Sequence, residues 1–413
     1  MAAPPVWCWR GGTGFARKAC EWLAMPCPFL FKTECDRLRI LVFTTASVLK
    51  MDAHGIHHSI QGSGMKFNRI LAAALPVISL AASAQSSITL FGIVDVNARY
   101  VRNSDLPGNL TMNNSGLASG RLGFRGDEDL GGGLRAGFWL ESDVNADTGT
   151  FSSTGKFFQR RSTVSLSGGF GEVRLGRDLS PASAHTYKYD PFGVIGLAGS
   201  AVTSRMPDGF SPSYYRRDNA IQYLSPSLWG LRAEFMYAMD ENPSSNVGRH
   251  VAGRVHYENG PLSLSLSYGA TDIGAAGTKF KQYGAGASYD FGFAKLMGHF
   301  QREDLPFGTY GSSTLGSEDR WLLGMTVPVG SGHLRASYVR TDSRKGPVAF
   351  NDSDANKYAI GYVHDLSRRT ALYGTVARIS NKGNANFALS GGAPGLAPKG
   401  TSTGAEVGIR HSF

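Results

Sequence analysis

Ile88-Thr-Leu-Phe-Gly-Ile-Val-Asp-Val-Asn-Ala-Arg-Tyr-Val-Arg102 alternates along its whole length. Leu90, Val94, Val96, Ala98 and Tyr100 share one face, and Phe91, Asp95, Asn97 and Arg99 share the other. A two-residue period of this kind predicts a strand with one apolar face and one face that can be wet. Alone, it fits half of a soluble sandwich as well as a barrel wall. The number of such segments separates the two readings. Strands are expected at 88–102, 117–126, 134–142, 157–167, 172–178, 219–224, 231–239, 249–257, 262–269, 280–289, 294–301, 320–327, 333–341, 356–364, 370–379 and 402–413. That is sixteen, an even number. Short connections at 168–171, 258–261, 290–292 and 365–369 alternate with longer ones such as 143–156, 302–319 and 380–401. Short turns at one rim and long loops at the other are the pattern of transmembrane barrels. A sheet in hydrocarbon must close on itself, because lipid offers no partner to its backbone groups. Roughly sixteen strands leave an aqueous bore, whereas about eight would be filled by side chains.

Composition supports a single domain after residue 85, since no linker or shift divides the 413-residue chain beyond that point. All four cysteines, Cys8, Cys20, Cys27 and Cys35, lie before it. The remainder therefore has neither a disulfide framework nor a cysteine-ligated zinc site. Of 42 basic and 32 acidic side chains, 9 and 4 precede Gln85, leaving 33 against 28 and a net charge of +5. So weak an excess does not point to nucleic acid.

Met65 to Ala84 has the three parts of a secretory signal: Lys66 and Arg69, the apolar run Ile70 to Leu80, and Ala82-Ser83-Ala84 for cleavage. The run is too short to span a bilayer as a helix, which needs about twenty residues. Residues 1–64 show no strand alternation and read as a non-native upstream extension, with a cytoplasmic or membrane-anchoring extension as the alternative. The expected organisation is thus 1–64 extension, 65–84 signal peptide and 85–413 barrel.

The longest interval that resists a strand reading is Leu179 to Asp218. A loop of about forty residues without regular structure is rare unless it has a job. Its aromatics (Tyr187, Tyr189, Phe192, Phe210, Tyr214, Tyr215) and its turn sequences Asp190-Pro-Phe-Gly193 and Met206-Pro-Asp-Gly209 argue against a disordered linker. We expect it to fold back into the barrel and narrow it.

The stretch Arg121-Leu-Gly-Phe-Arg-Gly-Asp-Glu-Asp-Leu-Gly-Gly-Gly-Leu-Arg-Ala-Gly-Phe-Trp-Leu-Glu141 resembles the second strand, first periplasmic turn and third strand of Gram-negative general diffusion porins. Ser87-Ile-Thr-Leu-Phe-Gly-Ile-Val-Asp95 resembles the opening strand of that family. Val407-Gly-Ile-Arg-His-Ser-Phe413 resembles its closing strand, with the terminal phenylalanine that barrel-assembly machinery recognises. The resemblance implies an all-β, sixteen-stranded antiparallel transmembrane barrel in the outer membrane, with the third loop folded inward. It implies a homotrimer in contact with outer-membrane lipid and lipopolysaccharide, and a water-filled path for small hydrophilic solutes and ions. No cofactor is implied.

Family members narrow the pore between wall bases and acids on the inward loop. Arg121 and Arg160 match the first two wall arginines, and Arg125 shares the face of Arg121. Plain alternation would turn Arg161 inward, with Val164 and Leu166 outward. The resemblance instead turns Arg160 inward and leaves Arg161 at a subunit contact, beside outward Thr163 and Ser165. For the third base the inward residue is Gln222, with Arg216, Arg217 or Lys188 as other sources of the charge. The loop carries Asp190, Asp208 and Asp218 against Lys188, Arg205, Arg216 and Arg217. That balance predicts a net positive constriction and a preference for small anions. A barrel enzyme would need a nucleophile, a histidine and an acid at one rim. The histidines after residue 85 (His185, His250, His256, His299, His333, His364, His411) recur with no such set, so the reading is not enzymatic. A purely structural or adhesive barrel is the remaining rival. Asp127-Glu-Asp129 before Gly131-Gly-Gly133 reads as a solvated tight turn.

Overall fold

The computed structural model describes residues 87–151, 155–203, 215–273, 278–304, 316–344 and 353–413. The expectations for the signal segment and for residues 1–64 lie outside the described residues. The strands are β1 (Ser87–Asn103), β2 (Asn109–Asn114), β3 (Arg121–Gly131), β4 (Leu134–Asn145), β5 (Thr150–Phe151), β6 (Arg161–Gly168), β7 (Gly171–Leu179), β8 (Arg216–Leu224), β9 (Leu231–Ala238), β10 (His250–Asn259), β11 (Leu262–Asp272), β12 (Lys279–Asp290), β13 (Lys295–Asp304), β14 (Ser317–Val329), β15 (Gly332–Arg344), β16 (Ser353–Asp365), β17 (Thr370–Lys382) and β18 (Thr401–Ser412). Two of these, β2 and β5, have no counterpart among the expected strands. They are short additions that pair with Val96–Val101 of β1 and with the end of β4. The other sixteen form the closed antiparallel barrel that the alternation predicts.

Closure falls between the first and last strands. β1 pairs with β3 over Ser87–Ile93 and with β18 over Ile93–Asn103. Gly92 and Phe413 exchange both backbone hydrogen bonds at 3.0 Å. A Cβ at Gly92 would stand 2.3 Å from the Phe413 ring and 2.9 Å from the Arg121 carbonyl oxygen, so a side chain there has to displace the pairing partner.

The two faces divide as the sequence indicates. Asp95, Asn97 and Arg99 of β1 are buried, while Leu90, Val94 and Tyr100 are exposed, as are Leu266, Leu323, Ile360 and Val407 on strands around the ring. An apolar surface of this extent belongs in hydrocarbon. Outward aromatic pairs reinforce it across strands, at 5.3 Å for Tyr268 with Tyr283 and 4.2 Å for Phe300 with Trp321. Tyr223 and Tyr362 donate their hydroxyls to the carbonyls of Phe170 and Val329 at short turns. The β3–β4 turn needs its glycines: Gly131, Gly132 and Gly133 have φ of 83, 62 and 81°.

The expected non-strand interval is trimmed at both ends, because β7 reaches Leu179 and β8 begins at Arg216. It opens with a helix that alternation did not reveal, α1 (Pro181–Lys188), followed by a 3₁₀ turn at Ser200–Thr203. Ser180 caps α1 by accepting from the Ala182 N–H, and Pro181 takes the first helical position. The helix packs on β9 to β13. Beyond it, Phe192, Leu197 and Ala198 join Ala359 of β16, Ile379 of β17 and Phe387 in one apolar cluster. Arg205, Asp208, Phe210 and Tyr214 lie outside the described residues.

Candidate pore-lining site

Of the bases that the sequence singled out, Arg121 and Arg125 stand on β3, Arg160 just before β6, Arg161 on β6, Arg216 and Arg217 on β8 and Lys188 on α1. Register sets their levels: Arg125 opposes Trp139, which opposes Thr163, and Glu141 opposes both Gly123 and Arg161. Arg121 has Nη1 3.4 Å from Glu141 Oε1, and its Nε donates to the Ser119 carbonyl. Arg125 is exposed and stands over the rings of Phe91 (5.5 Å) and Trp139 (5.1 Å). These two rings hold its guanidinium in place. Glu141 is buried, accepting also from the Trp139 indole N–H at 2.9 Å.

Arg160 lies inward as expected, whereas the placement of Arg161 is corrected. Arg160 precedes β6, so alternation does not bind it. Its guanidinium donates to Glu141 at 2.5 Å and Asp143 at 2.8 Å on the inner face. Arg161 also lies on the inner face rather than at a subunit contact: it sits 4.6 Å over Trp139, donates to Thr163 Oγ1 and is 3.5 Å from Asp178. Thr163 is buried while Val164 and Leu166 are exposed, so Thr163 and its companion Ser165 face inward too. Both arginines share one face because the strand starts at the second of them.

Gln222 does face inward, but it is buried opposite Arg174 rather than among the first wall bases. The base that joins Arg121 and Arg160 is Arg216, whose Nε donates to the Arg160 carbonyl at 2.8 Å. Arg217 donates instead to Thr271. Asp190 and Asp218, the described loop acids, do not face this group. The Asp190 carboxylate accepts from the N–H groups of Phe192, Val194 and Ser200, at 2.8, 3.1 and 2.8 Å. Asp218 pairs with Arg177 and Lys156.

Lys188, at the end of α1, pairs with Glu258. Burial, then Arg254 and Lys295, hold its ammonium below the usual lysine range. It lines a recess of about 500 Å³ with Arg174, Arg232, Glu234, Arg254 and His256. A second recess of about 320 Å³ lies between Arg125, Asp127, Arg161 and Glu172, and Arg174 borders both. Charged groups of both signs therefore line both recesses of this wall.

Sequence reasoning missed the bases that hold the loop. Lys357 of β16 is fully buried and donates to the carbonyls of Ala198 and Gly199. Arg335 of β15 stands 4.5 Å over the Phe192 ring, with Nη1 3.4 Å from the Pro191 carbonyl. Alternation places both inward. What covers them comes from more than a hundred residues away.

A closed barrel of sixteen strands, apolar outside and charged within, defines a channel of the outer membrane. A model of the Gram-negative porin family matches residues 71–384, and the chain belongs to that family. Outer membrane porin protein 32 of Delftia acidovorans is 42% identical over 359 residues, covering 83% of this chain and 99% of that one. An outer membrane porin protein of Bordetella pertussis is 30% identical, covering 84% of this chain and 100% of that one. Among solved structures, the anion-selective porin from Comamonas acidovorans superposes with a TM-score of 0.69 at 40% identity, over 80% of this chain and all of that one. This chain is accordingly an outer-membrane porin that crosses the Gram-negative outer membrane many times.

Proposed function

We propose that this porin is an anion-preferring pore whose constriction lies between the arginine-lined wall and segment 179–218 folded inward. The carrying observation is that, among the described residues, Arg121, Arg160 and Arg216 meet around only Glu141 and Asp143 and Arg125 makes no ion pair. The contacts of Ala182 to Thr203 with inner-face residues support the inward course of the segment. The relative titled anion-selective supports the sign. Charge rings of one sign concentrate the opposite ion in a narrow channel. The pore works by passive diffusion and needs no catalytic group.

The test is the zero-current potential of purified protein in a planar bilayer under a salt gradient. Arg121→Glu with Arg160→Glu moves it toward cations, more at low salt than at high, since screening sets in over about 10 Å at 0.1 M. A unit charge about 4 Å from an ion in water is worth about 1 kcal/mol, roughly fivefold in permeability ratio. Arg161→Glu shifts the potential in the same direction, because Arg161 shares the inner face. A wild-type potential on the cation side would overturn the proposal. The same reading extends to a homotrimer, which runs as a heat-dissociable oligomer on SDS gels and conducts in steps of three. A monomer by light scattering in mild detergent would contradict that.

A further inference from the structure

We propose that four wall glycines, Gly269, Gly284, Gly286 and Gly324, set how far segment 181–203 stands off the barrel wall, and thereby set the size limit of the pore. This rests on the reading of that segment as the constriction. Glycine is a poor strand residue, lacking a side chain to pack and losing the most freedom on ordering. Within a strand it marks a bulge or a place where another group approaches closely. These four show no positive φ, so the backbone itself would accept any residue. What excludes a side chain is first the segment, joined at Gly284 by Ser267 Oγ at 2.4 Å. A Cβ at Gly269 would lie 2.7 Å from Ala182 Cβ, one at Gly284 2.1 Å from the His185 ring, one at Gly286 2.1 Å from the Tyr189 ring, and one at Gly324 2.6 Å from Pro191 Cδ.

The glycines stand on three strands, yet they follow the chain order of the segment, from Ala182 to Pro191. All face inward: each alternates with outward neighbours, of which Tyr268, Tyr283 and Leu323 are exposed. Serines between them supply hydrogen bonds at the same depth. Ser267 meets His185 Nδ1 at 3.0 Å, and Ser263 meets the Tyr189 hydroxyl at 2.9 Å. The wall thus has a trough one side chain deep, and the segment lies in it. Filling the trough moves the segment toward the barrel axis, into the space through which solute passes.

The test is a double-mutant cycle read as single-channel conductance and as the largest neutral sugar admitted to proteoliposomes. Gly286→Ala lowers conductance by at least a third and reduces the admitted size. In a Tyr189→Ala background the same substitution changes neither. Gly374→Ala is the control, since its Cβ faces outward and meets nothing nearer than 3.7 Å. Conductance that stays at the wild-type value in Gly286→Ala, or rises, overturns the inference, as does an equal fall in the Tyr189→Ala background. Should Gly286→Ala fail to form a heat-modifiable barrel, Gly324→Ala with Pro191→Ala carries the same cycle with the same outcomes. Wild-type protein that passes no ions would remove the channel reading itself. A conducting wild type with an insensitive trough removes only this one.

Discussion

Arg125 and Lys357 both sit at inward positions of regular strands, and their circumstances are opposite. Arg125, on the wall of β3 to β8, is exposed and stacked on two rings. Lys357, on the wall of β15 to β17, is wholly buried with its ammonium on two backbone carbonyls. The outer faces of the two walls are alike, and so is the two-residue period. The difference is what lies over the inner face. On one side a base meets the lumen, and on the other segment 181–203 covers it. Whether an inward base stays open or is bound into the fold therefore depends on its cover, and the face of the strand alone does not decide which.

Acid should disturb the covered wall most. Burial, with His299 and Arg254 adjacent, pushes the His185 imidazole down to about 3. Above pH 6.5 the ring is neutral whether or not α1 is seated. Below it, the unseated ring takes up a proton that the seated ring refuses. Seating therefore weakens as pH falls, by up to about 5 kcal/mol near pH 3. Proteolysis of segment 181–203 should rise across that window and His185→Gln should flatten the rise. An identical pH profile in both proteins would break the contrast between the walls.

A smaller effect is expected from Asp190→Ala, which leaves three buried N–H groups without their acceptor. At about 1 kcal/mol or more for each group, the segment should lose about 3 kcal/mol, seen as easier cleavage and a lower thermal midpoint. Ion selectivity should not move. A shift toward anions would show that Asp190 faces the pore after all. Arg335→Gln and Arg125→Gln give the smallest and sharpest pair. Loss of the buried contact with Phe192 should destabilise by about 2 kcal/mol with no change in zero-current potential. Loss of Arg125 should cost less than about 1 kcal/mol and reduce anion preference.

Most of the wall was legible because a two-residue period survives wherever one face meets lipid. Leu262-Ser-Leu-Ser-Leu-Ser-Tyr-Gly269 announces both its faces in eight residues. Strand ends were less legible, and the site depended on them. Four residues separate the expected start of β6 from the observed one, and they turned the placement of Arg160 and Arg161 into a false choice. An earlier start of β8 likewise brought Arg216 to the group instead of Gln222. The Ser180-Pro181 signal for α1 was present, but one short helix leaves little periodicity to read. Nothing local distinguishes Lys357 from a free lumen lysine, because its partners, Ala198 and Gly199, are brought to it only by the closed fold.

The seam between β1 and β18 constrains how the molecule can come into being. Ile93 lies beside Ser412, partners about 320 residues apart in the chain, among the most distant pairings available and a mark of slow folding. Every earlier stage of assembly has two raw edges, which neither lipid nor water-exposed storage tolerates well. Insertion must then be nearly all-or-none, with the ring completed by the last strand to arrive. The pairing of Phe413 with Gly92 acts as the latch of that step. A bulky residue at Gly92 should stall the protein as an unclosed, protease-sensitive precursor, even though Gly92 itself brings no charge to the finished pore.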